Sequence, residues 1–258
     1  MTQVDINVFI GSYPFRDIGA WDASDIVREM LRAGTTAAWV SHLPAIYWRD
    51  PMAGNDPLYE IHERDVRLKP VPAVHPGLPG WQAILDGALA HGAPAVRADP
   101  TFYGLAPAGP EMQSLVAACA ERQVPLMMAV RLEDLRQRHP RDTAGDLPPW
   151  AVRQLVRSHQ QVRLVVTHAD REFIEQVHFG STPQEAARIL WDISWIWGPP
   201  EDHLELLLQT VGIDRFTFGT GMPLRLPETS VAKLDLLNLD GEARAAIAAG
   251  NLETFLSA

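Results

Sequence analysis

Short apolar runs rich in β-branched residues alternate with amphipathic stretches of helical period along the whole chain. Eight runs predict strands, over residues 4–11, 36–41, 70–75, 93–97, 125–131, 163–168, 188–194 and 215–219. Helical spacing follows each of them, over 23–33, 58–65, 80–91, 109–122, 148–158, 170–179, 201–211 and 242–256. Strand followed by helix eight times, with no composition break, predicts one α/β domain over 1–258, a single (β/α)8 TIM barrel. In the first strand, alternation puts Val4, Ile6, Val8 and Ile10 on the face toward the helices and turns Asn7 and Phe9 into the barrel.

Helix boundaries agree with this division. Asp22-Ala23-Ser24-Asp25 supplies capping side chains ahead of Ile26, Met30 and Leu31, and Gly34 follows the last turn. Proline gathers after the strands, at 43–57, 76–79, 100–110, 132–149 and 222–227. In an eightfold barrel those loops form the mouth where chemistry is built.

Composition narrows the function. The 258 residues carry 32 acidic against 22 basic side chains, a formal charge of −10, which argues against nucleic acid or an anionic membrane as partner. No apolar run approaches the ~20 residues that span a bilayer. The opening MTQVDINVFIG has no charged region ahead of a long apolar segment, so no signal peptide is expected and the cytoplasm is the expected compartment. The single Cys119 sits in an apolar helical pattern and reads as packing, with no disulfide framework. Only Lys69 and Lys233 are lysines; every other basic residue is an arginine.

Five local patterns then fall in one order along the chain: V-D-I-N-V-F-I-G at the start, V-V-T-H at 165–168, W-D-I-S at 191–194, F-G-T-G-M-P at 218–223 and I-A-A-G-N-L-E-T-F-L near the end. With them the chain resembles the amidohydrolase superfamily, in the amidohydrolase-related branch that includes hydrolases and the aminocarboxymuconate-semialdehyde decarboxylase type. That resemblance implies a metal-dependent-hydrolase-like barrel and hydrolase or lyase chemistry. Metal-using members carry His-x-His on the first strand, where this chain has Asn7 and Phe9, and an aspartate after the eighth, where it has Gly221. The fifth-strand histidine is also missing. His168 is the one match, and one imidazole does not hold zinc, so no metal cofactor is expected.

His168 is the candidate proton carrier, with Asp99 as the candidate carboxylate partner. The plainer reading is a histidine satisfied by a backbone carbonyl. Asn7, Arg16, His75, Arg97, Arg131 and Arg225 fall near the predicted mouth as substrate-binding candidates. Guanidinium groups there suit a small anionic molecule, unless they pair internally with acids such as Asp99, Glu133, Asp134 or Asp170. His42, His75 and His168, all at strand ends, leave open a different metal site. The stretch Val130 to Asp134, with Arg136 and His139, is similar to a motif of a subgroup lacking the fifth-strand histidine, or is a charged turn. Trp191, Ile193 and Trp195 share one face by alternation, and with Trp48 and Phe179 they leave room for a homo-oligomer. A barrel that binds a ligand or partner without catalysis is the rival reading.

Overall fold

The structure is a computed structural model and describes residues 2–258. Its strands are β1 (Val4–Ile10), β2 (Ala37–His42), β3 (Leu68–Pro70), β4 (Val96–Arg97), β5 (Leu126–Ala129), β6 (Leu164–Thr167), β7 (Ile189–Asp192) and β8 (Phe216–Thr217). They pair in parallel, β1 to β3 in one ladder and β4 to β8 in another. Two seams join the ladders into a ring. Arg97 N–H donates to Pro72 O and Val74 N–H to Arg97 O, both at 2.8 Å; at the other seam Phe9 N–H donates to Met222 O at 2.9 Å and Gly221 N–H to Asn7 O at 2.8 Å. The barrel is therefore closed, although several strands are two to four residues long.

Around it lie α1 (Ala23–Ala33), α2 (Asp56–Arg64), α3 (Trp81–Ala90), α4 (Pro110–Glu121), α5 (Pro149–Ser158), α6 (Arg171–His178), α7 (Pro183–Ala186), α8 (His203–Thr210), α9 (Pro227–Leu236), α10 (Gly241–Ala245) and α11 (Asn251–Ser257). The cap expected on α1 is present: Asp22 accepts from Ser24 and Asp25 N–H, and Asp25 reciprocates. Gly34 closes the helix at φ 69°, a conformation open to glycine. Ile26 and Met30 pack on Val8, Val40 and Leu58, which ties the helix to β1 and β2.

Four local expectations change. The third strand, expected over 70–75, lies at Leu68–Pro70, and residues 71–74 continue as irregular chain that still bonds to its neighbours through Val71 N–H and Val74 N–H. Ile6 does not share the outer face with Val8 and Ile10; a register shift between Asp5 and Val8 turns it inward, against Trp39, Val71, Met127, Val165 and Leu190. The predicted helix over 242–256 is divided, because a π turn at Ala246–Gly250 separates α10 from α11. Finally, β7 ends at Asp192, so alternation fails beyond it: Trp191 packs outward on Phe173 of α6, whereas Trp195 turns over His168. α7 and α9 were not expected, since neither carries a long apolar stripe.

Candidate functional site

His168 follows β6 and is completely buried. Its backbone is left-handed, at φ 57°, which is uncommon for a residue with a β-carbon and marks local strain. Two contacts hold it there. The backbone N–H donates to Asp192 Oδ1 at 2.9 Å, and ring Nδ1 lies 2.7 Å from Arg131 O. The second contact assigns the proton to Nδ1 and leaves Nε2 as a lone pair, which is buried without a partner. A β-carbon built on Gly221 would stand 2.9 Å from that Nε2 and 3.6 Å from Arg225 Cδ. Both groups thus converge on the space that Gly221 leaves open. Burial, followed by the positive charges of Arg225 and Arg97, pushes the imidazole pKa well below 6.5.

The acid at this centre is Asp192, not Asp99. Asp192 is fully buried and accepts from Asn7 Nδ2 at 2.8 Å as well as from His168 N–H. Burial raises its pKa. Its inward position was legible from alternation with Leu190, but no motif gave it a role. Asp99 serves Arg97 instead, accepting from Nε at 2.9 Å, and takes Ala129 N–H at 2.8 Å on its other oxygen. No hydrogen bond joins it to His168.

The arginines divide sharply. Arg97 is buried, with Cζ 4.7 Å from the centre of the Phe9 ring, and its charge is met by Asp99. Arg131 is clamped between Asp146 at 2.8 Å and Asp170 at 2.7 Å. Arg16 is exposed and pairs with Glu133 at 2.8 Å. Internal pairing therefore accounts for all three, because each lies beside an acid on its own or a neighbouring loop. Arg225 has no carboxylate partner among the described residues: its Cζ lies 3.5 Å from the centre of the Trp195 ring, and its Nε is buried without an acceptor. His75 stacks on Tyr103 at 4.6 Å and accepts from Gly77 N–H. His42 leans on Trp48 and accepts from Ala45 N–H.

Beside this centre a cleft of about 560 Å³ opens between the loop after β5, the turn after β7 and α9. Arg225, Trp195 and Lys233 stand in its wall, with Trp197, Leu226 and Leu236 supplying apolar surface. Arg136 is neutralised by Asp134, and Glu133 by Arg16. Arg225 and Lys233 are the cations left to face a ligand, with Glu201 also on the wall. His168 does not line the cleft; Trp195, 5.6 Å away between ring centres, and Arg225 separate it from that space.

These residues do not fit a divalent metal. Phe9 offers a hydrocarbon ring capped by a guanidinium, Gly221 offers no side chain, and the Asn7 amide N–H₂ is engaged with Asp192. What remains is one neutral imidazole, one amide oxygen and the Asp192 carboxylate, whose two oxygens already accept from Asn7 and the His168 N–H, beside Arg97, Arg131 and Arg225. Among the described residues no three His, Cys, Asp or Glu side chains come together as a metal-holding group, so His42, His75 and His168 do not assemble one.

Comparison with known proteins gives the wider setting. The amidohydrolase family model matches residues 53–256. Solved structures similar to the chain include a 2,6-dihydroxybenzoate decarboxylase complexed with 2,6-dihydroxybenzoate, at 13% identity and TM-score 0.78, with 100% of both chains covered. Another is a probable 2-pyrone-4,6-dicarboxylic acid hydrolase from Acinetobacter baumannii with citric acid bound, at 12% identity and TM-score 0.70, again over 100% of both chains. A third is a dihydroxybenzoic acid decarboxylase from Polaromonas sp. JS666 with bound manganese and 2-nitroresorcinol, at 12% identity and TM-score 0.76, covering 99% of this chain and 97% of that one. At such identities the likeness establishes the shared barrel. No curated protein matches the chain. Among the described residues no helix is long and apolar enough to cross a membrane.

Proposed function

The chain belongs to the amidohydrolase family, and from that premise we propose a hydrolase or decarboxylase-like lyase that takes a small carboxylate into the cleft and works without the family's metal. The observation that carries this reading is Arg225, a guanidinium whose Cζ lies 3.5 Å from the centre of the Trp195 ring, with an unsatisfied N–H and no ion pair to a carboxylate among the described residues. Such a group is prepared to receive a planar anion through two parallel hydrogen bonds. The 2,6-dihydroxybenzoate and citric acid held by two similar structures support a carboxylate as ligand. Movement of Arg225 toward a bound anion would uncover the Nε2 of His168. That lone pair would then accept a proton at neutral pH, while Arg225 offsets developing negative charge. Asn7 and Asp192 position the imidazole and do not touch the ligand. The cytoplasm, where the buried Cys119 stays reduced, is the proposed compartment.

Calorimetric titration with benzoate, 2,6-dihydroxybenzoate and citrate tests the site. Binding by the wild type and its loss in Arg225→Ala are expected; no binding, or equal binding by the variant, would overturn the reading. The complete burial of His168 beneath Phe9, Trp195 and Arg225 favours a second reading, a barrel that holds its ligand without turnover. Incubating the protein with a carboxylate that binds, and following substrate and products by mass spectrometry, separates the two.

A further inference from the structure

Lys233 stands in the wall of the cleft on α9, and nothing in the proton chemistry of His168 uses it. Its stem lies against the turn after β7 so closely that a β-carbon on Gly198 would come within 2.6 Å of Lys233 Cγ. Its Nζ donates to Ile193 O at 2.9 Å and to Ser194 O at 3.0 Å. No carboxylate forms an ion pair with it among the described residues. Three donors on an ammonium serve two acceptors here. Losing the third proton keeps both hydrogen bonds and leaves a lone pair as the one uncommitted valence on nitrogen.

The surroundings favour that loss. Burial, then the charge of Arg225 on the loop before α9, pushes the ammonium down to about 8, against the opposing pull of Asp192 from β7. Across the cleft stand Glu133, Asp134, Arg136 and Glu201. A half-buried amine beside a guanidinium is the setting in which lysine acts as a nucleophile.

We propose that Lys233 condenses with a small carboxylate that carries an aldehyde or ketone, forming an imine while Arg225 receives the carboxylate. The nitrogen lone pair bonds to the carbonyl carbon and the C=O π pair moves to oxygen. Both amine protons leave nitrogen for that oxygen, relayed by solvent, and water departs as C=N forms, giving a neutral imine that becomes the iminium by taking up one proton from solvent. No oxidant or reductant enters. This proposal rests on the reading of the cleft as an anion site.

With two lysines in the chain, peptide mass spectrometry can read the test in the intact wild type. The protein is incubated near pH 7.5 with glyoxylate and sodium cyanoborohydride, which traps the imine as a stable amine, and in parallel with the uncharged propionaldehyde. Lys233 should be trapped by glyoxylate about tenfold faster than Lys69, because its own ammonium is pushed down to about 8, close to the working pH, and Arg225 stands beside it to receive the carboxylate. In Arg225→Ala the ratio of glyoxylate to propionaldehyde trapping at Lys233 should fall. Trapping at Lys233 no faster than at Lys69 with either aldehyde would overturn the amine's role, and carboxylate titration would still judge the anion site. Fast trapping with no preference for glyoxylate would overturn the carboxylate part alone.

Discussion

The guanidinium carbon of Arg225 lies 3.5 Å from the centre of the Trp195 ring, close enough for the indole face to fix the orientation of the cation. That pair forms the wall between the open cleft and the buried His168. It sets both what the cleft can bind and when the imidazole can be reached.

Arg225→Lys should fail as a substitute. Lysine keeps the charge but loses the flat face and the paired donors, so carboxylate affinity should fall about tenfold or more. Isothermal calorimetry reads this directly. Equal affinity in the lysine variant would show that charge alone accounts for binding.

His168→Ala and His168→Asn should separate backbone from side chain. Alanine loses the bond to Arg131 O and meets the left-handed φ of 57° without the local compensation that asparagine has. A loss of about 1–3 kcal/mol is expected for alanine, and a smaller one for asparagine. Urea denaturation of both variants checks the order, and asparagine as the worse of the two would contradict it.

The pH profile follows from the same residue. Because burial and nearby cations hold the imidazole pKa well below 6.5, a rate that needs His168 as base should be flat through neutral pH. Its acid limb should lie below 6.5. An acid limb above that value in kcat/KM would assign the base to another group.

Stability should respond to pH through Asp5. Its carboxyl is raised from 3.8 to about 7, first by burial, with hydrogen bonds from Thr220 and Asn7 opposing. Between those values the folded chain holds a proton that the unfolded chain has released. The contribution of this group is thus fullest below pH 3.8 and is lost as pH rises through about 7. Between about pH 4.5 and about pH 7.5 the wild type should therefore lose more stability than Asp5→Asn, by about 2–4 kcal/mol. Parallel urea-denaturation profiles would contradict this.

The residues show why the sequence carried the frame better than the site. Strand and helix positions were legible because the barrel buries one continuous face of each element, as Ile26 and Met30 do on α1. Asn7 and Phe9 pointed inward as alternation required, but Ile6, which alternation puts on the outer face, turned inward as well, since the register shift in β1 has no sequence signal of its own. Proximity in sequence shows Asp99 two positions from Arg97, but not Asp170 for Arg131, 39 positions away on another loop. Only assembly distinguishes Arg225 from the other three. Lys233 was noticed as one of two lysines, and its placement depended on α9, a helix too weakly patterned to predict.

The most direct test of the account is carboxylate titration by calorimetry on wild-type protein stripped of metal with a chelator, then repeated after adding manganese or zinc and counting bound metal by mass spectrometry. A carboxylate should bind the stripped protein, added metal should neither remain at stoichiometric level nor change the affinity, and Arg225→Ala should abolish binding in both states. Carboxylate binding that appears only with one equivalent of retained metal would contradict it.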